Sequence, residues 1–271
     1  MDKIEICKKI KKTIRSIVLF DNDNIISSGT GIVIRNTGTL LTAGHVIEDY
    51  SKLSNPKIIV SGLEDIPRTE YKPLLHNPSF DINMPNLINP LKIDLAILEP
   101  EAQIKNSPFL ELDNDIAVEG EEVIMAGFPD EVKLPLNFDK ALNFDNSDLG
   151  RQELEIKNFF TFSMRLIMIK SGMVGSVQKI DFSGKSDMPG IENISISGAT
   201  YWIDNASTYG ASGGPVVNSD GKLIGIICEK GLTIQRDLDL EIPSGSTMAL
   251  SHKLITWWLD YFKNRANGTI R

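Results

Sequence analysis

Apolar residues recur along this chain with two different periods. Near the start, Ile4, Cys7, Ile10, Ile14 and Ile17 fall three or four residues apart, the spacing that places side chains on one face of a helix. The other face carries Lys3, Lys8, Lys9, Lys11, Lys12 and Arg15. A helix over residues 1–16 is expected, laid on the body of the protein with a solvated basic face. A docking or anionic-surface helix is the alternative. From residue 17 the pattern changes to short β-rich runs, at 17–20, 31–34, 39–42, 57–60, 95–98, 123–126, 174–180, 195–203, 215–217, 223–228 and 247–250. Clusters of Gly, Asn, Asp, Pro and Ser separate them. Asn218-Ser219-Asp220-Gly221 lies between two apolar runs and reads as a hairpin turn. Many short strands with regular turns predict an all-β barrel or sandwich. The pattern closes on a helical stripe that includes Leu254, Trp257, Trp258 and Phe262, dense enough to pack as core. Residues 67–90, with several Pro and Asn, read as loop. Residues 129–170 have mixed polarity and exceed a plain connection, so a lid, regulatory loop or added hairpin is expected there.

Composition narrows the class. The 271 residues are 41% hydrophobic and 24% charged, values of a folded chain long enough for one large or two small domains. The net charge is −8, which disfavours general nucleic-acid binding, because phosphate contacts need clustered Lys and Arg. Cys7 and Cys228 are too few and too far apart for a disulfide framework. The longest apolar runs are of strand length, well short of the roughly 20 residues of a membrane-crossing helix. The N-terminal stretch has no run long enough for a signal-peptide core. The expectation is a cytoplasmic protein with reduced thiols, no membrane span and no nucleic-acid partner.

Three stretches carry candidate chemistry. In Gly210-Ala211-Ser212-Gly213-Gly214-Pro215 a serine framed by glycines sits on a tight turn that a substrate can approach closely. In Leu41-Thr42-Ala43-Gly44-His45-Val46 a histidine follows a strand and has the chemistry of a general base. In Ile93-Asp94-Leu95-Ala96-Ile97-Leu98 an aspartate heads an apolar strand, a costly position for a carboxylate unless it is paired. Alone, each has a bland reading: a flexible loop, a structural histidine, a strand cap. Together they supply what acyl transfer by serine requires, a base for the hydroxyl proton and a carboxylate to orient that base. A metal enzyme is disfavoured for want of clustered His and Cys ligands. An α/β-hydrolase is disfavoured by the chain order His, Asp, Ser.

With these residues in that order, the chain resembles the trypsin/chymotrypsin-like serine proteases. The bacterial branch, with the HtrA (Deg) protease domain and the glutamyl endopeptidases, is the nearest likeness. Ser28-Gly29-Thr30-Gly31 before the histidine strand and Gly221-Lys222-Leu223-Ile224-Gly225-Ile226 after the serine agree in order. The resemblance runs over residues 18–262, with no counterpart for 130–170. It implies two six-stranded β-barrels of the chymotrypsin type, residues 17–118 and 119–250, flanked by an N-terminal helix and a C-terminal helix over 251–271. It implies His45, Asp94 and Ser212 as the triad and the N–H groups of Gly210 and Ser212 as the oxyanion hole. No metal or cofactor is implied.

The primary pocket is expected between Ala206, Ser207, Thr208 and Tyr209 on one wall, Cys228, Glu229 and Lys230 on a second, and Gly245, Ser246 and Thr247 on a third. No acid stands at the pocket base, so a small or medium uncharged side chain is favoured, with an acidic one left open by Lys230. Asp204 is expected outside the pocket. Cys228 is expected as a small buried strand residue, with a redox-sensing thiol as the alternative. Digestive relatives place before the serine an aspartate that pairs with a newly cut N-terminus; here that residue is Ala211. With about 20 residues after Leu250, a following PDZ domain is not expected. The implied partner is a protein or peptide substrate, cut by a regulated intracellular protease with a dedicated target and an activating partner. A latent protease fold acting as a binding module is the alternative.

Overall fold

The first helix, α1 (Lys3–Thr13), stops three residues earlier than its apolar spacing predicts. Ile14 and Ile17 belong instead to strand β1 (Ile14–Asp21). Their three-residue separation puts them on opposite faces of a strand. Both are fully buried, Ile14 among residues that join the halves of the molecule and Ile17 inside the first barrel. Two flanking cores thus mimic a helical stripe. The break is capped from both sides: Thr13 Oγ1 donates to Lys9 O, and the Arg15 guanidinium donates to Lys12 O at 2.9 Å. The helix buries Ile6 and Ile10, while Lys9 Nζ donates to Gly221 O. It therefore lies on the protein, as the first of the two readings has it.

The computed structural model describes residues 1–63, 66, 68–74, 79–82, 91–129, 167–185, 193–235 and 240–266. Strands β2 (Asn24–Val33), β3 (Leu40–Thr42), β4 (Pro56–Ser61), β5 (Thr69–Pro73) and β8 (Ala96–Pro100) close with β1 into an antiparallel barrel, in the order β1-β2-β3-β8-β5-β4. Strands β6 (Ser79–Ile82) and β7 (Leu91–Asp94) pair as a separate two-stranded sheet. A second closed barrel runs β10-β11-β14-β13-β12-β9. Its strands are β9 (Glu122–Gly127), β10 (Met168–Lys185), β11 (Asn193–Ile203), β12 (Pro215–Val217), β13 (Leu223–Gln235) and β14 (Leu240–Ser251). Helix α2 (His252–Ala266) follows and packs on β11, with Leu254 and Ile255 fully buried. This is the two-barrel, two-helix architecture of the chymotrypsin fold.

Core position explains why several strands read as unbroken apolar runs. In β9, Val123 and Met125 point into the second barrel, whereas Ile124 and Ala126 join the cluster between barrels. In β3, Leu40 faces the first-barrel core and Leu41 the inter-barrel core. A strand buried on both sides loses the polar alternation of a half-exposed one. The hairpin expected at residues 218–221 is present, with Gly221 at φ +73 and its N–H donating to Asn218 O.

The reading of 67–90 as loop fails at β5 and β6. In β5 only Tyr71 faces inward, and Tyr71 Oη donates to Gly38 O at 3.1 Å. One inward residue among Thr, Glu, Lys and Pro gives no pattern, so barrel closure and not local preference makes this a strand. Most of the expected insertion at 129–170 lies outside the described residues; its last three residues belong to β10. No helix among the described residues is long and apolar enough to cross a membrane.

Candidate active site

His45 sits where β3 ends. The chain leaves Thr42 through Ala43 and makes one short 3-10 turn, Gly44–Ile47. Val46 and Ile47 anchor that turn in the first-barrel core, which leaves the His45 side chain 35% exposed. Asp94 is the last residue of β7 and is 5% exposed. Each of its two oxygens meets His45: Oδ2 lies 2.6 Å from His45 Nδ1, and Oδ1 accepts the His45 backbone N–H at 2.8 Å. A buried carboxylate is tolerable only when hydrogen-bonded, and these bonds supply that. A carboxylate accepts and does not donate, so Nδ1 carries the proton and Nε2 is the basic nitrogen of the neutral ring. Cys228 is buried, with Sγ 3.9 Å from Asp94 O.

The serine lies on two consecutive turns between β11 and β12. Ala211 N–H donates to Thr208 O at 3.1 Å, with Gly210 at φ +81. Gly214 N–H donates to Ala211 O at 2.8 Å, with Gly213 at φ +84. Positive φ at the third position makes both type II turns, and glycine supplies it without strain. Gly213 is also needed for space, because a Cβ there would overlap Thr30 O and Thr42 Oγ1. The second turn thus presses against the strand end that leads into His45. Among the described residues, no backbone or side-chain acceptor takes the N–H of Gly210 or of Ser212.

Thr30, in the middle of β2, crosses from the first barrel to this loop. Its Oγ1 donates to Gly210 O at 2.7 Å and accepts the Phe128 N–H at 3.0 Å. Its N–H donates to Ser212 O at 2.9 Å, and its carbonyl accepts from Thr42 Oγ1 at 2.7 Å.

The three expected pocket walls converge on Thr247. Ser207 N–H donates to Thr247 Oγ1 at 2.7 Å, and Thr247 Oγ1 donates to Asn205 O at 2.6 Å. Strands β13 and β14 pair Lys230 with Thr247 and Glu229 with Met248. Ser207 is buried, Ala206 and Thr208 are half-buried, and Tyr209 and Glu229 are exposed. Gly245 turns at φ +80 beside the Ser244–Ser246 hydroxyl pair. Asp204 is exposed, and its Oδ1 accepts the Met173 N–H at 2.6 Å.

Two contributors escaped the sequence reading. Lys170 Nζ donates to Ala206 O, and Lys170 lines a small cavity with Met125, Met168, Ser207, Ala211 and Ile227. Nothing marks that lysine in a stretch of mixed polarity. Thr30 stood inside a quoted motif, yet its role is visible only in three dimensions. Among the described residues, no three His, Cys, Asp or Glu side chains converge as a metal site would.

A family model described as "Trypsin-like peptidase domain" matches residues 29–226. Among solved structures, the Rv3671c protease from M. tuberculosis in its active form superposes with a TM-score of 0.55 at 14% identity, covering 93% of this chain and 81% of that one. The inactive form of the Rv3671c protease superposes with a TM-score of 0.54 at 16% identity, covering 94% and 92%. At such identities the likeness is one of fold. Comparison with curated proteins gives no match.

Proposed function

Since this chain belongs to the trypsin-like peptidase family and is a trypsin-like serine protease, we propose that it cleaves proteins internally with His45, Asp94 and Ser212 as its catalytic groups. The observation that carries the assignment is the Asp94 carboxylate bound at once to Nδ1 and to the backbone N–H of His45. That double bond fixes both the tautomer and the tilt of the ring, as a general base requires.

Ser212 Oγ attacks the scissile carbonyl carbon, and the carbonyl π pair moves onto oxygen. The hydroxyl proton passes to His45 Nε2. The resulting imidazolium is stabilised by Asp94, which stays ionised. The N–H groups of Gly210 and Ser212 receive the oxyanion; in serine proteases one such donor is worth about 2.7–4 kcal/mol. The carbon–nitrogen bond then breaks, and Nε2 returns its proton to the leaving amine. Water attacks the acyl-enzyme with the same base, the ester bond breaks, and Ser212 recovers its proton. Every step uses groups of this chain and water.

The primary pocket would be walled by residues 206–209, 228–230 and 245–247. Residues 206–209 contain no acid, so that wall offers a basic side chain no counter-charge; the nearby acids, Glu229 on the second wall and Asp204 with its Oδ1 on the Met173 N–H, are both exposed. A small or medium uncharged residue before the cut is the favoured substrate. The latent-module reading is disfavoured by the paired type II turns, which leave two N–H groups without an acceptor among the described residues.

Digestion of a diverse peptide library by wild type, Ser212→Ala and His45→Ala tests this. Cleavage by wild type alone supports the triad; equal cleavage by either variant removes it. A narrow set of cut peptides supports a dedicated protein target, and a broad tolerant profile counts against one.

A further inference from the structure

We propose that Thr30 is the positioning residue that holds the nucleophile loop of the second barrel against the histidine of the first; the proposal rests on the triad reading above. Consider the peptide units around Ser212. The unit before its amide, Gly210–Ala211, is gripped at its carbonyl by Thr30 Oγ1 and at its N–H by Thr208 O. The unit after it, Ser212–Gly213, is gripped at its carbonyl by the Thr30 N–H and at its N–H by Ile227 O, 2.7 Å away. One residue thus holds both flanking carbonyls, and the Ser212 N–H between them has no acceptor among the described residues.

The hydroxyl direction is not arbitrary. The Phe128 N–H can only donate, so it occupies a lone pair of Oγ1 and sends the single hydroxyl proton toward Gly210 O. Thr30 itself has no freedom to follow the loop. It is fully buried, pairs with Ser16 across β1 and β2, and its carbonyl is tied to Thr42, three residues before His45. The threonine therefore transmits the position of the histidine-bearing strand to the serine-bearing loop. Ala211 is uncharged and 4% exposed, so no ion pair at that residue shares the task.

Valine at this position keeps the shape and both main-chain bonds but removes the hydroxyl. It strands Gly210 O and the Phe128 N–H. Displacement of reacting groups by about 1 Å costs on the order of 100-fold in rate. The test measures kcat and KM on a peptide ester for wild type, Thr30→Val, Thr30→Ser and Ser212→Ala, with the folded fraction of each taken from thermal melting. Amide hydrogen exchange at Ala211 and Gly213 is followed in parallel, with Ile124 as a core reference. Thr30→Val is expected to lose on the order of 100-fold in kcat with KM within threefold. Its Ala211 and Gly213 amides should exchange faster while Ile124 does not change. Thr30→Ser, which keeps the hydroxyl, should stay within about fivefold of wild type. Thr30→Ala, with room for a water on the two stranded groups, replaces the valine variant if that one does not fold.

Wild-type kcat in Thr30→Val, or a serine variant as impaired as the valine one, overturns the positioning role. So does unchanged exchange at both amides. A wild type no faster than Ser212→Ala sinks the triad reading instead, and the exchange data then decide on Thr30 by themselves.

Discussion

Replacing Asp94 by asparagine probes the catalytic pair with almost no change of shape. The two aspartate oxygens accept from two donors of His45, the ring Nδ1–H at 2.6 Å and the backbone N–H at 2.8 Å. Asparagine has one acceptor and one donor at those positions. If its oxygen keeps the backbone N–H, its NH2 faces Nδ1 and forces the ring proton onto Nε2, where it blocks uptake of the serine proton. If the amide flips, its NH2 meets the backbone N–H, and two donors confront each other in a site that is 5% exposed. The flip would keep the ring proton on Nδ1 but is opposed by that clash, so the first arrangement prevails and the base is lost. In a serine-protease triad this change lowers kcat about 10⁴-fold, or about 5.4 kcal/mol of transition-state stabilisation. The second-order rate of fluorophosphonate labelling, compared with wild type at pH 7 and pH 9, reads the effect without knowledge of the substrate. Thermal melting should show that Asp94→Asn still folds. Labelling within tenfold of wild type would refute the reasoning, because it would mean that Nδ1 does not depend on the carboxylate.

Three further outcomes follow from other parts of the structure. Gly213→Ala should abolish labelling and lower stability by about 1–3 kcal/mol from the forced positive φ alone, with the overlap against Thr30 O added; a fully labelled, equally stable variant would contradict the turn assignment. Tyr201→Phe leaves the buried Ala117 N–H without its acceptor at 3.2 Å, so urea denaturation should show a loss of about 1–3 kcal/mol while labelling of the folded protein stays normal. His252 is buried, its Nδ1 lies 3.2 Å from Ile224 O, and burial lowers its pKa below 6.5. The unfolded chain then binds a proton near pH 6.5 that the folded protein refuses, so stability is lost as pH falls through 6.5 toward the folded value and is unaffected above it. His252→Gln should flatten the fall of Tm between pH 7 and pH 5.5, and a slope identical to wild type would assign the pH dependence elsewhere.

Strand positions and the chemistry-bearing motifs were legible because each rests on local pattern. Doubly buried strands such as β9 declare themselves as apolar runs, and glycines at positive φ mark the turn that carries Ser212. Legibility failed where the signal is distributed in space. Strand β5 turns one side chain, Tyr71, into the core, and only closure of the barrel identifies it. Ile14 and Ile17 copied a helical spacing because two different cores lie on either side of one strand. In the site, the motifs named His45 and Asp94, yet the two-point grip of one on the other is a matter of backbone geometry. Thr30 and Lys170 act through main-chain carbonyls of distant residues, Gly210 and Ala206, and such contacts leave no trace in spacing.

The central claim is that one serine of this chain is activated by the His45–Asp94 pair. Fluorophosphonate treatment of the native protein, followed by intact mass and peptide mapping, tests it most directly. The account predicts a single adduct, on Ser212, absent after His45→Ala. An adduct on another serine, or a folded wild type that takes up none, would contradict it.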